Sequence, residues 1–179
     1  MIEISNQFLF LLSAVGAFNG LLVATYVGIN KRGDFSFYFL AALLVMISIR
    51  VGKSVLFYFS PELDKTILQI GLSACFLIGP LAYFYTLVSV NSLSKLSKFH
   101  SIQLILLFSI TLLVGLIYPY KVHPEIWGDH IYKIVNYTWL IYVAAAWLEI
   151  YKRIDYKQEL FQSKNLLLLG VNTGVTIIW

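Results

Sequence analysis

The sequence predicts an all-α fold, a polytopic bundle of transmembrane helices, and three observations lead to this prediction. Of the 179 residues, 59% are hydrophobic and only 12% are charged, against roughly 45–50% and about 25% in soluble domains. The apolar residues form long runs of about 20 residues, the length that a helix needs to cross a bilayer. Polar residues collect between these runs. This pattern excludes a soluble globular domain, a disordered chain and a basic nucleic-acid-binding domain.

Six apolar segments make up this single membrane-embedded domain. Their predicted bounds are 8–29, 35–59, 66–90, 99–118, 131–151 and 165–179. The first five are long enough to cross the hydrocarbon core, whereas the 15 residues of the sixth would cover only about 22 Å as a helix. We therefore expect the chain to stop inside a truncated sixth span, either as a cropped piece or as a truncated product, and a completed bundle would have seven helices.

The connections predict how the bundle is oriented. They are short and polar, so neighbouring segments are expected to run antiparallel. Lysine and arginine number eight in the first, third and fifth connections together and three in the second and fourth, counting Lys133 at the start of the fifth segment. By the positive-inside rule the more basic side faces the cytoplasm, which places the N-terminus outside. The C-terminus then faces the cytoplasm once a seventh helix is added.

The first segment carries small residues at every fourth position, namely Gly16, Gly20, Ala24 and Gly28. Such a ridge lets another helix approach closely. Packing within the chain is the favoured interpretation, and a homodimer face is the alternative. Asn19 flanks the ridge, where its amide could hydrogen-bond a neighbouring helix or contact a ligand.

The second segment contains two cations, Arg50 and Lys53, three residues apart on one helix face. Charges in a span need a partner or a watery cavity. In one interpretation Lys53 extends to the outer membrane surface, and Arg50 bonds to backbone carbonyls or to Glu62 and Asp64. In the other, the two cations line an outward-opening pocket for a small anionic or carbonyl-bearing ligand.

The third segment contains Gly79 and Pro80 near its middle. Proline removes one helical hydrogen bond, and the adjacent glycine loosens the same turn, so a kink is expected there. The kink can simply shape packing or act as a hinge for helix rearrangement. Tyr83 brings a polar group to this region and is a further candidate for ligand contact.

The connection before the fifth segment gathers two histidines and two acids, which are His123, His130, Glu125 and Asp129. Their spacing matches no metal-binding motif. We therefore expect no metal here, but a solvated loop with Trp127 at the membrane surface.

Enzyme signatures are missing from the sequence. It contains no Gly-x-Ser-x-Gly, no His-Glu-x-x-His, no phosphate-binding loop and no paired carboxylates inside a span. The single cysteine, Cys75, lies in an apolar run, where a thiol behaves as a small hydrophobic group. The sequence therefore predicts a protein that is not an enzyme and that uses no cofactor.

Several short segments together resemble the membrane part of AraC-type transcriptional regulators. They are residues 16–22, the basic turn 30–32, Arg50, and residues 76–85 around Gly79 and Pro80. The resemblance implies a multi-pass bundle in a bacterial cytoplasmic membrane that senses an extracytoplasmic or membrane signal. It also implies that a cytoplasmic domain with two helix-turn-helix motifs follows the bundle. Rearrangement of the helices near Pro80 would then alter the orientation or dimerisation of that domain. That domain is absent from residues 1–179, so DNA would be bound only through the missing part.

Two alternatives stay open at this point. The bundle could be the sensor module of another signalling protein, such as a histidine kinase, or a small multi-pass transporter, because helix breaks and buried cations also mark transport paths. The first three segments and the next three show no inverted repeat, since neither the Gly-Pro pair nor the Arg/Lys pair recurs. A structural or accessory membrane protein is a further possibility.

Overall fold

The computed structural model describes residues 2–30, 34–60, 64–153 and 163–178, of which 89% are helical and none lies in a strand. The helices are α1 (Ile2–Asn30), α2 (Ser36–Phe59), α3 (Lys65–Asn91), α4 (Lys98–Ile117), α5 (Tyr132–Arg153) and α6 (Ser163–Ile178). A π-helical turn, Ile126–Ile131, leads directly into α5. The bounds of α2 to α5 lie within two residues of the predicted segments, while α1 begins six residues earlier than predicted.

Four helices, α1 to α4, are long and apolar enough to cross a membrane. The chain is therefore a helical membrane protein. Helix α5 is not among the four, because it is rich in tyrosine and tryptophan and carries Lys133, Glu149 and Lys152. Helix α6 is apolar from Asn165 to Ile177 but shorter than the others.

Polar side chains in the connections begin three of the helices. One carboxylate oxygen of Asp34 accepts hydrogen bonds from the backbone N–H and the hydroxyl of Ser36, at 3.0 and 2.7 Å. Asp64 accepts the backbone N–H of Thr66 at 2.8 Å, at the start of α3. Ser97 does the same for α4. These bonds satisfy N–H groups that have no partner within the first helical turn.

Successive helices alternate in direction around α3, as their contacts show. On α4, Gly115 lies against the start of α3 and His100 against its second half, so the two helices are antiparallel. On α5, Trp139 contacts Gly79 and the ring of Tyr142 lies 5.7 Å from that of Tyr83, so α5 runs parallel to α3. The two ends of the bundle are called here the Asp34 end and the Asp64 end.

Helix α3 is the centre of the bundle. Of its most apolar stretch 56% is buried, compared with 6% in α1 and in α4. The core forms where α2 and α5 pack against α3, around Leu43, Ile78, Leu81, Phe84 and Val143. Helix α1 packs on α2, and α6 packs on α3 and α5. Helix α4 has no buried residue, so it lies at the edge of the bundle.

The backbone of α5 passes directly over Gly79. A Cβ atom at Gly79 would lie 2.9 Å from the Cα and 3.2 Å from the carbonyl oxygen of Trp139. Because both are backbone atoms, a side-chain rotation cannot relieve the overlap. The absence of a side chain at Gly79 therefore sets the distance between α3 and α5.

We expect Gly79→Ala to lower the free energy of unfolding by about 1–3 kcal/mol, because the added methyl group forces α5 away from α3. The matched control is Gly52→Ala on α2, where a Cβ would have no neighbour within 4 Å. That change should be neutral or stabilising by up to about 1 kcal/mol, since alanine favours helix over glycine. Equilibrium unfolding in detergent measures both. Equal stability of the two variants would contradict this explanation of Gly79.

Candidate functional site

The small residues of α1 lie largely against α2. Ala24 is buried, a Cβ at Gly28 would lie 3.6 Å from an alanine Cβ on α2, and a Cβ at Gly20 would overlap the Ser48 hydroxyl. Gly16 has open space beside it within 4 Å. The contact with α2 thus covers the later part of the ridge, and a homodimer face stays a prediction.

The alkyl part of the Lys53 side chain lies across α3. A Cβ at Gly71 would be 2.5 Å from Lys53 Cγ and 2.9 Å from its Cε, so the missing side chain at Gly71 makes room for the lysine. Lys53 is half-buried and forms no ion pair with any residue in the described ranges. Arg50 lies on the α2 stripe facing α3, seven residues after the buried Leu43.

Of the two acids predicted as partners for Arg50, the structure describes Asp64. Asp64 forms an ion pair with Lys121, with 3.0 Å between the carboxylate oxygen and Nζ. Glu62 lies outside the described residues. The Asp64–Lys121 pair joins the start of α3 to the connection after α4, at an exposed position.

Tyr83 lies apart from these two cations. Asn19 is exposed on α1. Tyr83 is half-buried beside Tyr142, and it stands twelve residues after Gly71, about 18 Å further along α3. The four predicted ligand residues are therefore not brought together in one site.

A groove of about 360 Å³ lies between α2, α3 and α4 in the half of the bundle near the Asp64 end. Its walls are mostly apolar and include Met46 and Ile49 of α2 and Leu77 of α3. Three side chains that can form hydrogen bonds interrupt the apolar surface, and they are Gln69, Ser73 and Thr111. None of the four predicted ligand residues lines this groove or a second, smaller cavity beside it, and these residues are Arg50, Lys53, Asn19 and Tyr83.

Lys53 is at the Asp64 end of this groove, although it does not line it. Met46, Ile49 and Lys53 follow one another on a single stripe of α2, at the i, i+3 and i+7 spacing of a helix face. Gly71, which the lysine crosses, directly follows the lining residue Ile70. One turn of α2 thus separates the apolar wall from a positive charge.

Gln69 holds the Asp64 end of the groove together. Its Nε2 donates to the carbonyl oxygen of Gly115 at 2.9 Å, and its Oε1 accepts the backbone N–H of Tyr120 at 2.8 Å. A Cβ at Gly115 would lie 2.8 Å from that Nε2. One amide therefore ties α3 to the end of α4 and to the connection that follows it.

A second cavity, of about 120 Å³, lies on the other side of the α3–α4 contact, toward α5. Ser73 and Thr111 line both cavities. Trp127 forms part of its wall and is only 2% exposed, and its indole N–H donates to the carbonyl oxygen of Tyr118 at 2.6 Å. The prediction that Trp127 lies at the membrane surface is thus wrong, because the π-helical turn buries its ring within the protein.

The other side chains of this connection are placed separately. The rings of His123 and Tyr118 are in contact, and His130 lies 3.6 Å from Asp129, which also pairs with Lys133 at 2.5 Å. Within the described ranges, no three histidine, cysteine or acidic side chains come together as metal ligands.

Sequence reasoning missed a buried polar pair that links α6 to α3. The amide Nδ2 of Asn172 donates to the hydroxyl of Thr86 at 2.9 Å and to the carbonyl oxygen of Leu168 at 3.0 Å. Asn172 is 1% exposed and Thr86 is fully buried. The available signal was a polar residue inside an apolar run. Asn19 and Gln69 carry the same signal, so it does not single out Asn172.

Comparisons with known proteins found no match, since no family model, no curated protein and no solved structure is significantly similar to this chain. The resemblance to AraC-type regulators therefore stays a prediction. Function has to be argued from the helices, the groove and the charges themselves.

The Asn172–Thr86 pair predicts a measurable coupling between α6 and α3. In a double-mutant cycle with Asn172→Ala and Thr86→Val, we expect a coupling of about 0.6 kcal/mol and at most about 1.7, the range for interhelical hydrogen bonds in membrane proteins. In the matched control cycle Thr25→Val takes the place of Thr86→Val, because Thr25 is exposed and its hydroxyl bonds only within α1. Additive effects of Asn172→Ala and Thr86→Val would remove the proposed link.

Asp64 predicts a titration at unusually low pH. Its pKa falls from 3.8 to about 2, first because the carboxylate accepts the Thr66 backbone N–H and second because it bonds Lys121. A lowered pKa means that the stabilisation is fully present above about pH 4 and is lost as the pH falls through about 2.

Lys121→Met should raise the pKa of Asp64 only part of the way to 3.8, because the bond from Thr66 remains. Lys98→Met, near the Asp34 end, should leave it unchanged. Carboxyl NMR titration of the protein in detergent gives these values. A native Asp64 that titrates at its ordinary pKa would show that neither bond forms in solution.

Proposed function

We propose that the chain is the membrane sensor portion of an AraC-type transcriptional regulator, passing a signal to a cytoplasmic DNA-binding domain outside residues 1–179. The ligand is a small molecule that binds in the groove between α2, α3 and α4. The groove is the observation that carries this proposal, because its volume of about 360 Å³ lies within the range of small-molecule sites, roughly 300–1,000 Å³. Its apolar walls with a few hydrogen-bonding groups are also typical of such sites.

The proposed topology counts α1 to α5 as five full spans followed by α6, with the N-terminus outside the bacterial cytoplasmic membrane. The bias of eight basic residues against three in alternate connections supports this orientation. Helix α5 is included as a span because it runs parallel to the central helix and buries Trp139 and Val143 in the bundle. Burial against α3 offsets its lower hydropathy.

Signal transfer is proposed to run through α3. Leu77 lines the groove, and Pro80, three residues later, interrupts the hydrogen bonds of the same helix. Between them, Gly79 contacts α5. A ligand shifts the bundle between two states only if it binds one of them more tightly. A change in helix direction at Pro80 would alter the groove and the α3–α5 contact together.

The sequence of the gene beyond the codon for Trp179 tests the class of protein directly. We expect the rest of the sixth helix, a seventh helix and a domain with two helix-turn-helix motifs. A histidine-kinase core would replace the proposal with a different sensor. A stop codon, or a further set of spans that repeats the first in inverted order, would overturn regulation of transcription by this chain.

The role of the groove is tested in a strain that carries the full-length gene. Thr111→Phe fills the space between α3 and α4, whereas Leu113→Phe on the same helix points away, at a position that is 54% exposed. We expect the transcripts that respond to deletion of the gene to respond also to Thr111→Phe, and not to Leu113→Phe. Normal transcript levels with Thr111→Phe would separate the groove from the output.

A further inference from the structure

We propose that the ligand of this groove is a long-chain fatty acid, whose acyl chain lies between α2, α3 and α4 and whose carboxylate pairs with the ammonium group of Lys53. This inference rests on the proposed function, because it names the ligand of the same site. Three properties of the groove carry it, and they are its shape, its polarity and its access from the bilayer.

The groove is elongated along the helix axes. On α3 its lining extends from Gln69 to Leu77, and on α4 from Phe108 to Leu116. Eight residues of helix correspond to about 12 Å, so the space is long and parallel to the direction in which acyl chains lie in a bilayer. An extended single chain fills such a space better than a compact ring system does.

The positive charge lies at one end of the groove and the apolar walls lie along its length. Gly71 holds the alkyl part of Lys53 against α3, one turn beyond Ile49, which lines the groove. Within the described ranges, Lys53 has no acidic partner. A cation in a span is costly unless an anion accompanies it. A carboxylate at the end of an apolar chain gives Lys53 an anion and gives the apolar walls of the groove an apolar chain to contact.

Helix α4 leaves a lateral entrance to the groove. Its packing against α3 buries none of its residues, and the lining residues Leu112 and Leu116 are 66% and 76% exposed. These side chains face the surface that lipid would cover. A fatty acid dissolved in the bilayer could therefore enter between α2 and α4 without passing through water.

The test uses stearic acid that carries a nitroxide label near the middle of its chain, added to the 179-residue chain in phosphatidylcholine nanodiscs. Electron spin resonance then separates the immobilised label from the mobile label in the bilayer. At a pH of about 9 the carboxyl group of the fatty acid is ionised. We expect the immobilised fraction of the label to be much smaller with the methyl ester than with the acid.

Variants separate the charge from the apolar groove. Lys53→Met keeps an unbranched side chain over Gly71 and should weaken binding of the acid about tenfold, whereas Lys53→Arg should retain it. Lys65→Met is the matched control, because Lys65 is an exposed lysine at the same end of α3. Thr111→Phe should abolish the immobilised fraction, and Leu113→Phe should not.

Equal immobilisation of the acid and the ester would overturn the role of Lys53, as would unchanged binding by Lys53→Met. Immobilisation of spin-labelled phosphatidylglycerol in place of the acid would show that a two-chain lipid is the ligand and would also overturn the proposal. Binding is measured on the chain itself without a transcriptional readout. A negative result therefore removes the fatty acid as ligand but leaves the sensor proposal, which depends on the gene sequence beyond Trp179.

Discussion

The close approach of α5 to α3 is the constraint on which the arrangement of the bundle depends. It is possible because Gly79 places no side chain between the two backbones. On the neighbouring face of α3, Gly71 makes the same kind of room for the stem of Lys53 from α2. Two glycines, eight residues apart on one helix, thus fix the helices on either side of α3 and make it the buried centre.

Helix α4 remains outside this packed centre, and the groove is a consequence of that position. It is attached near its two ends, by the Gln69 amide at Gly115 and by the contact between the rings of His100 and Phe84. Gln103 adds a hydrogen bond of 2.6 Å to Tyr142 on α5. Between these attachments Ser73 and Thr111, both small, line the cavities on both sides of the α3–α4 contact.

The helices could be predicted from the sequence because the length of an apolar run follows directly from the thickness of the bilayer. Contacts between helices could be predicted only where a regular spacing of residues indicates them. The four-residue spacing of Gly20, Ala24 and Gly28 marks the face that contacts α2, but nothing in the spacing shows that Gly16 lies beyond that contact.

Polar residues inside the spans were much harder to interpret. Partners of Gln69 and Asn172 lie 46 and 86 positions away in the chain, and no local pattern connects them. The sequence therefore distinguishes neither amide from Asn19, which is exposed. Gly79 illustrates the same limit, because the adjacent Pro80 suggests a hinge whereas the contact with Trp139 is visible only in three dimensions.

The two explanations of Gly79 and Pro80 are compatible, and their combination gives α3 a way to connect separate parts of the bundle. Leu77 faces the groove, Gly79 faces α5, and Pro80 removes the hydrogen bond that would otherwise stiffen this turn. A change in helix direction at Pro80 cannot leave α5 in place, because no side chain separates the two backbones to absorb the movement. Under the proposed function, occupancy of the groove and the position of α5 are therefore coupled through a single turn of α3, without a chain of intervening side chains.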